Sequence, residues 1–148
     1  VISLFHVFSY LSTNEALAAG FATAATHLNP GGVLVFDCWY VPAVLTDLPQ
    51  ARDKHIESEL ICADRHTEIE MDFAENVVNV AFDVTVTNRR ENTQERFREV
   101  HPMRYLFIPE IDMHAAASGF RRVAVEEWLT GKPPTEKSWG VCFVLQRL

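Results

Sequence analysis

Apolar and polar positions follow two rhythms along this chain. Val1 to Phe8 and Val33 to Cys38 are near-continuous apolar runs, the texture of strands covered on both faces. Between them, Ser12 to Leu28 has helical spacing, with Leu17, Phe21, Ala24, Ala25 and Leu28 on one stripe and Ser12 with Glu15 predicted as a capping box. Asn29-Pro30-Gly31-Gly32 then stops the helix. Strand, helix and strand predict one βαβ unit with parallel strands, and such sheets place ligand sites just past the strand C-terminal ends.

After Tyr40 the rhythm changes. Pro42, Pro49 and a mixed charged stretch from Arg52 to Asp72 lead into clean alternation at Val78, Val80, Phe82, Val84 and Val86, the mark of a half-exposed antiparallel strand. A turn over Asn88 to Asn92 precedes a second alternating run, with Phe97, His101, Met103, Tyr105 and Phe107 on one face. A weaker strand between His55 and Phe73 completes a three- or four-stranded meander. Pro102 cannot donate to a ladder, so its strand is predicted to lie at an edge or to bulge there. Pro109 suits the first turn of a helix over Glu110 to Ser118, and Gly119 its end. Val123 to Trp128 and Gly140 to Leu145 then read as two strands whose connection is too short for a crossover helix, hence an antiparallel pair.

The fold class is therefore α/β, a partial Rossmann-like sheet in the order β-α-β, inserted antiparallel β-meander, α, and an antiparallel β-β pair. The expected organisation is a single domain over 1–148, with 1–40 and 108–148 as the sheet and helix portion and 41–107 as the inserted meander. A length of 148 residues at 48% hydrophobic content supports one sizeable core.

Charge narrows the function classes. The formal net charge is -7, and no basic cluster exceeds the pairs Arg89-Arg90 and Arg121-Arg122, which argues against nucleic acid as a partner. No apolar run reaches membrane-spanning length, and the N-terminus lacks the basic flank and cleavage site of a signal peptide, so the expectation is a soluble cytoplasmic protein with no membrane partner. Cys38, Cys62 and Cys142 are odd in number and set in apolar surroundings, which predicts reduced core thiols. The six histidines include no HxxxH or HExxH pair, so linear spacing predicts no metal site.

Three blocks in this order, "HLNPGGVLVFDCW", "EVHPMRYLFIPEIDMHAAASGF" and the closing "WGVCFVL", resemble the second half of a class I S-adenosylmethionine-dependent methyltransferase of the small-molecule type with an inserted β-meander. The resemblance runs over nearly the whole chain and implies S-adenosylmethionine as cofactor and a small-molecule acceptor. The family's glycine-rich turn after its first strand and its ribose-binding acid have no counterpart here. Gly31-Gly32 precede a strand, whereas a cofactor turn follows one and opens a helix. The sequence thus looks like a C-terminal, acceptor-binding portion, incomplete for catalysis by itself. The competing expectation is a catalytically silent fragment serving as a small-molecule binding or oligomerisation module. With its usual neighbour missing, the Val1 to Phe5 edge is expected to pair with a second copy in a homodimer.

The candidate site residues follow the strand ends. By the resemblance, His6, Phe8 and Ser9 lie beside the cofactor's methionine moiety and Tyr10 beside the acceptor; the competing view packs the aromatic residues in the core. Asp37, Trp39 and Tyr40 follow the second strand, outside the C-terminal edge of a parallel sheet. His101, Arg104 and Tyr105 lie on the strand that the family uses to roof its acceptor pocket. Alternation puts Arg104 on the face opposite His101 and Tyr105, and its alternative role is an ion pair with a meander glutamate. Trp128 and Trp139 are expected in the core.

Overall fold

The computed structural model describes residues 1–148 in full. Ile2–Ser3 (β1), Asn14–Thr26 (α1) and Val33–Tyr40 (β2) form the expected βαβ unit, and β1 runs parallel to β2 with Ile2 opposite Val35 and Ser3 opposite Phe36. The first strand is far shorter than its apolar run. Phe5 and His6 both take left-handed backbone angles, φ 65° and 61°, and the chain enters a 3-10 helix over Val7–Tyr10. Two successive left-handed residues cannot continue a ladder. The gain is tertiary, because this turn lets Phe8 stack on Phe36 with ring centroids 4.1 Å apart.

Local chemistry sets α1 with one change from expectation. Thr13, not Ser12, is the cap, its Oγ1 accepting from the Ala16 amide at 3.1 Å. Leu17, Phe21 and Ala24 are buried on one stripe. They meet Leu34, Phe36 and Cys38 of β2 together with Ile111 and Ala115 of α3 (Ile108–Ala117). Both helices pack on that one face. On the other face of β2, Val33 is exposed and Val35 half-buried, so the strand is not covered on both sides as its continuous apolar run suggested.

β2 is central. β8 (Gly140–Arg147) pairs with it antiparallel, Phe36 opposite Phe143, and the two rings lie 5.1 Å apart at 9°. β7 (Phe120–Glu127) pairs antiparallel with β8, shifted in register between Arg122 and Ala124. Pro109 sits in the first turn of α3, and Gly119 beyond its end has φ 75°, the backbone that favours glycine.

The meander has four strands: β3 (Arg52–Glu57), β4 (Ile61–Asp72), β5 (Val77–Asn88) and β6 (Thr93–Leu106), each antiparallel to the next. The end of β6 also pairs parallel with the end of β2, Trp39 opposite Tyr105 and Tyr40 opposite Leu106, which joins all eight strands in one sheet. Pro102 keeps regular register opposite Asn79, and β2 reaches β6 only beyond it, so its missing N–H sits on an open edge without a bulge. A short helix, α2 (Val41–Thr46), was not legible in the sequence. It buries Val41 and Val44 against Val78, Val80, Met103 and Tyr105.

The cysteines are free but not alike. Cys38 and Cys142 are buried, and burial raises both thiol pKa values, that of Cys38 strongly. Cys62 lies on the polar face of the meander rather than in the core expected for it. Timed thiol labelling of the native chain is expected to modify Cys62 rapidly and Cys38 and Cys142 only on unfolding. Equal rates at all three would contradict this packing.

Candidate functional site

The 3-10 turn, the end of β2 and the inner face of the meander enclose a cleft of about 700 Å3. His6, Tyr10 and Trp39 line one side; Thr67, Ile69, Val80, Phe82, His101 and Met103 line the other; Asp47 to Arg52, leaving α2, and Trp139, before β8, close the ends. Each face follows from periodicity. On β6 the odd positions His101 and Met103 face the cleft, and on β5 the even positions Val80 and Phe82 do so.

His6 is the best-positioned titratable group. Its backbone N–H donates to Asp37 Oδ2 at 3.1 Å, and its ring Nδ1 lies 2.7 Å from the same oxygen, outside hydrogen-bond angles. Asp37 is fully buried, and its Oδ1 has no partner. The left-handed backbone at Phe5 and His6 aims the imidazole at this carboxylate, and such strain persists only where surrounding contacts hold it. Gly140 leaves the necessary room, since a Cβ there would come within 3.2 Å of His6 Cε1.

Across the cleft, Tyr10 Oη and His101 Nδ1 are 2.8 Å apart, and the His101 ring packs 5.1 Å from Phe82. Trp39 meets Trp139 edge to face at 5.6 Å. Thr67 Oγ1 is buried at the cleft wall and has no protein partner. The chamber is thus aromatic, with a few convergent polar groups, the composition of a small-molecule site.

The remaining candidates lie elsewhere. Phe8 is in the core, between Phe21 and Phe36. Ser9 is buried with its Oγ accepting from the Trp39 amide at 2.9 Å, so it ties the 3-10 turn to β2. Tyr40 packs against the main core, and its N–H donates to the Trp139 carbonyl. Arg104 is buried, bound to Asn14 at 2.6 Å and to Glu110; its partner is this α3 carboxylate rather than the expected meander glutamate. It holds the starts of α1 and α3 to β6. Tyr105 is buried below the cleft under α2, its hydroxyl pushed upward in pKa by desolvation. Trp139, expected in the core, lines the cleft instead. Thr67, Trp139 and the 47–52 loop were missed because nothing in their local sequence marks them; tertiary contact alone brings them in.

The glycine pair offers no cofactor cradle. Gly31 N–H donates to the Arg147 carbonyl at 2.8 Å and Gly32 N–H to the Asn29 carbonyl at 2.9 Å, so both amides are used within the fold.

With this geometry the chain can be set beside known proteins. It is 27% identical over 136 residues to the dTDP-3-amino-3,4,6-trideoxy-alpha-D-glucopyranose N,N-dimethyltransferase of Streptomyces venezuelae, covering 90% of this chain and 53% of that enzyme. CalS10, an amino pentose methyltransferase from Micromonospora echinaspora solved with SAM bound, superposes with a TM-score of 0.71 at 25% identity, over 100% of this chain and 57% of its own. An S-adenosylmethionine-dependent methyltransferase from Clostridium acetobutylicum superposes with a TM-score of 0.75 at 16% identity, over 99% and 56%, a likeness of fold. No family model matches. The chain has the fold of class I S-adenosylmethionine-dependent methyltransferases and resembles their C-terminal part. It spans little more than half the length of these relatives.

The buried carboxylate yields a stability test. His6→Ala keeps the backbone bond to Asp37 Oδ2 and removes only the imidazole packed against that oxygen, and is expected to cost about 0.5–3 kcal/mol in denaturant unfolding. Adding Asp37→Asn is expected to recover part of this loss, because the orphan is then no longer a charge. Additive losses in the double variant would show that the two groups are uncoupled.

Proposed function

We propose that this chain is the acceptor-binding portion of a small-molecule methyltransferase, acting on an amine of a sugar-like acceptor. The observation that carries the reading is the aromatic cleft at the C-terminal end of β2, with His6 seated over the buried Asp37. The amino-sugar substrates in the names of two relatives supply the acceptor class.

S-adenosylmethionine supplies an electrophilic methyl group when it is bound. The chain's own residues act on the acceptor. His6, oriented by Asp37, takes the proton that an amine must shed before it can react, and the Asp37 carboxylate stabilises the resulting imidazolium. Tyr10, His101 and Thr67 hold acceptor hydroxyls, and Trp39 with Trp139 packs against the ring faces, so that positioning rather than covalent chemistry provides most of the acceleration. His6→Gln is expected to lower kcat about 10²–10⁴-fold in the complete enzyme, with KM little changed. An unchanged kcat would remove His6 from the reaction.

The 148 residues alone are proposed to hold S-adenosylmethionine poorly, since the glycine turn and ribose-binding acid of the family are not among them. Each hydrogen bond forgone is worth about 1–3 kcal/mol, so the expected dissociation constant is about 1 mM or weaker. Calorimetry giving a value below about 10 µM would show that the cofactor is held by other means.

Self-association belongs to the same proposal. Ile2 is 71% exposed and Phe5 79% exposed beside the free edge of β1, and a second copy covers that edge in a two-fold antiparallel pair. Ile2→Lys is expected to shift the dimer toward monomer in sedimentation. A monomer at about 100 µM, or a dimer indifferent to the substitution, would overturn it.

A further inference from the structure

The meander carries a second group of reactive side chains, remote from the cleft and independent of the methyl-transfer reading. In the β3–β4 hairpin, His55 stands opposite Asp64 and Glu57 opposite Cys62. Directly opposed residues of an antiparallel pair share a face, so register alone puts all four side chains on one patch, with opposed Cβ atoms about 5 Å apart. The hairpin connection is tightly held. Ser58 Oγ accepts from the Ile61 amide at 3.0 Å, and the Ser58 N–H donates to the Ile61 carbonyl at 2.8 Å.

The side chains then sort by distance. His55 Nδ1 lies 2.6 Å from Asp64 Oδ1, which leaves Nε2 to face 3.9 Å to Cys62 Sγ and 3.6 Å to Glu57 Oε2. Ligands held about 2.0–2.3 Å from a tetrahedral zinc lie about 3.4–3.6 Å from one another, close to these separations. The donor atoms of His55, Cys62 and Asp64 all fall within 4.8 Å of one another. Arg89 engages the other Glu57 oxygen, Oε1, and also faces Cys62. A carboxylate on Nδ1 with a metal on Nε2 is the usual second-shell arrangement for a ligating histidine.

We propose that His55 Nε2 and Cys62 Sγ are the protein ligands of a surface site for a zinc-class divalent cation, with Asp64 orienting His55, Glu57 beside the imidazole and water completing the coordination. The nitrogen and sulfur ligands exclude calcium and magnesium, which take oxygen ligands. Binding ties β3 to β4 at the outer edge of the sheet, where every residue of β3 is exposed. The linear spacing of the histidines could not show this, because the ligands meet only across the ladder.

Cobalt(II) titration of the reduced full chain tests it, since a cobalt–thiolate bond gives a charge-transfer absorption that adventitious carboxylate or imidazole binding does not. The expected result is such a band, abolished by Zn(II) competition and by Cys62→Ser, with about 10–100-fold weaker binding in Asp64→Asn. Cys38→Ser and Cys142→Ser should leave the band intact, and circular dichroism of Cys62→Ser should match the parent because the residue is not in the core. Absence of the band, or its survival in Cys62→Ser or His55→Ala, overturns the proposal.

Discussion

The parallel pairing of the last two residues of β2 with the last two of β6 is the contact on which the other features depend. It attaches a four-stranded meander to a sheet otherwise organised around β2 and β8, and it does so at the C-terminal end of β2. Without it, Trp39 would have no meander wall to face. With it, the inner meander face becomes the far wall of a chamber whose near wall is the 3-10 turn after β1.

Two buried polar groups reinforce that junction in different ways. Arg104 meets Asn14 and Glu110 through its Nη2, so its charge is compensated where α1, β6 and α3 converge, while its buried Nε has no partner. Asp37 also leaves one oxygen unpartnered, and it faces a strained histidine. The first is a structural clamp. The second keeps unused hydrogen-bonding capacity next to a cleft, and such capacity tends to collect at functional sites.

The legible parts of the molecule were those governed by periodicity. The α1 stripe, the alternation of β5 and β6 and the closing β7–β8 pair all express a local repeat, and all are present within a few residues of expectation. β1 was misjudged because an apolar run reports burial and not extension; Phe8 is buried, but after a left-handed turn. α2 has only six residues, two turns at most, and its burial against Val78 and Met103 outweighs its weak local signal. Among the residues lining the cleft, His6, Tyr10, Trp39 and His101 are singled out in the sequence by their places near strand ends and on a strand face. Thr67 and Trp139 depend on how two sheet portions meet, which no local pattern encodes.

The length of β6 carries an evolutionary constraint. Its fourteen residues run unbroken from the outer hairpin to the main sheet, paired with β5 from Thr93 to Arg104 and with β2 at Tyr105 and Leu106. One residue gained or lost in the middle of this strand would turn His101 and Met103 out of the cleft and Arg104 away from Glu110 at once, because side-chain direction alternates with every residue. A change of two residues would preserve facing and alter only reach. Homologous chains should therefore vary freely in the loops at 58–60 and 89–92, yet differ within β6 by even numbers of residues or not at all.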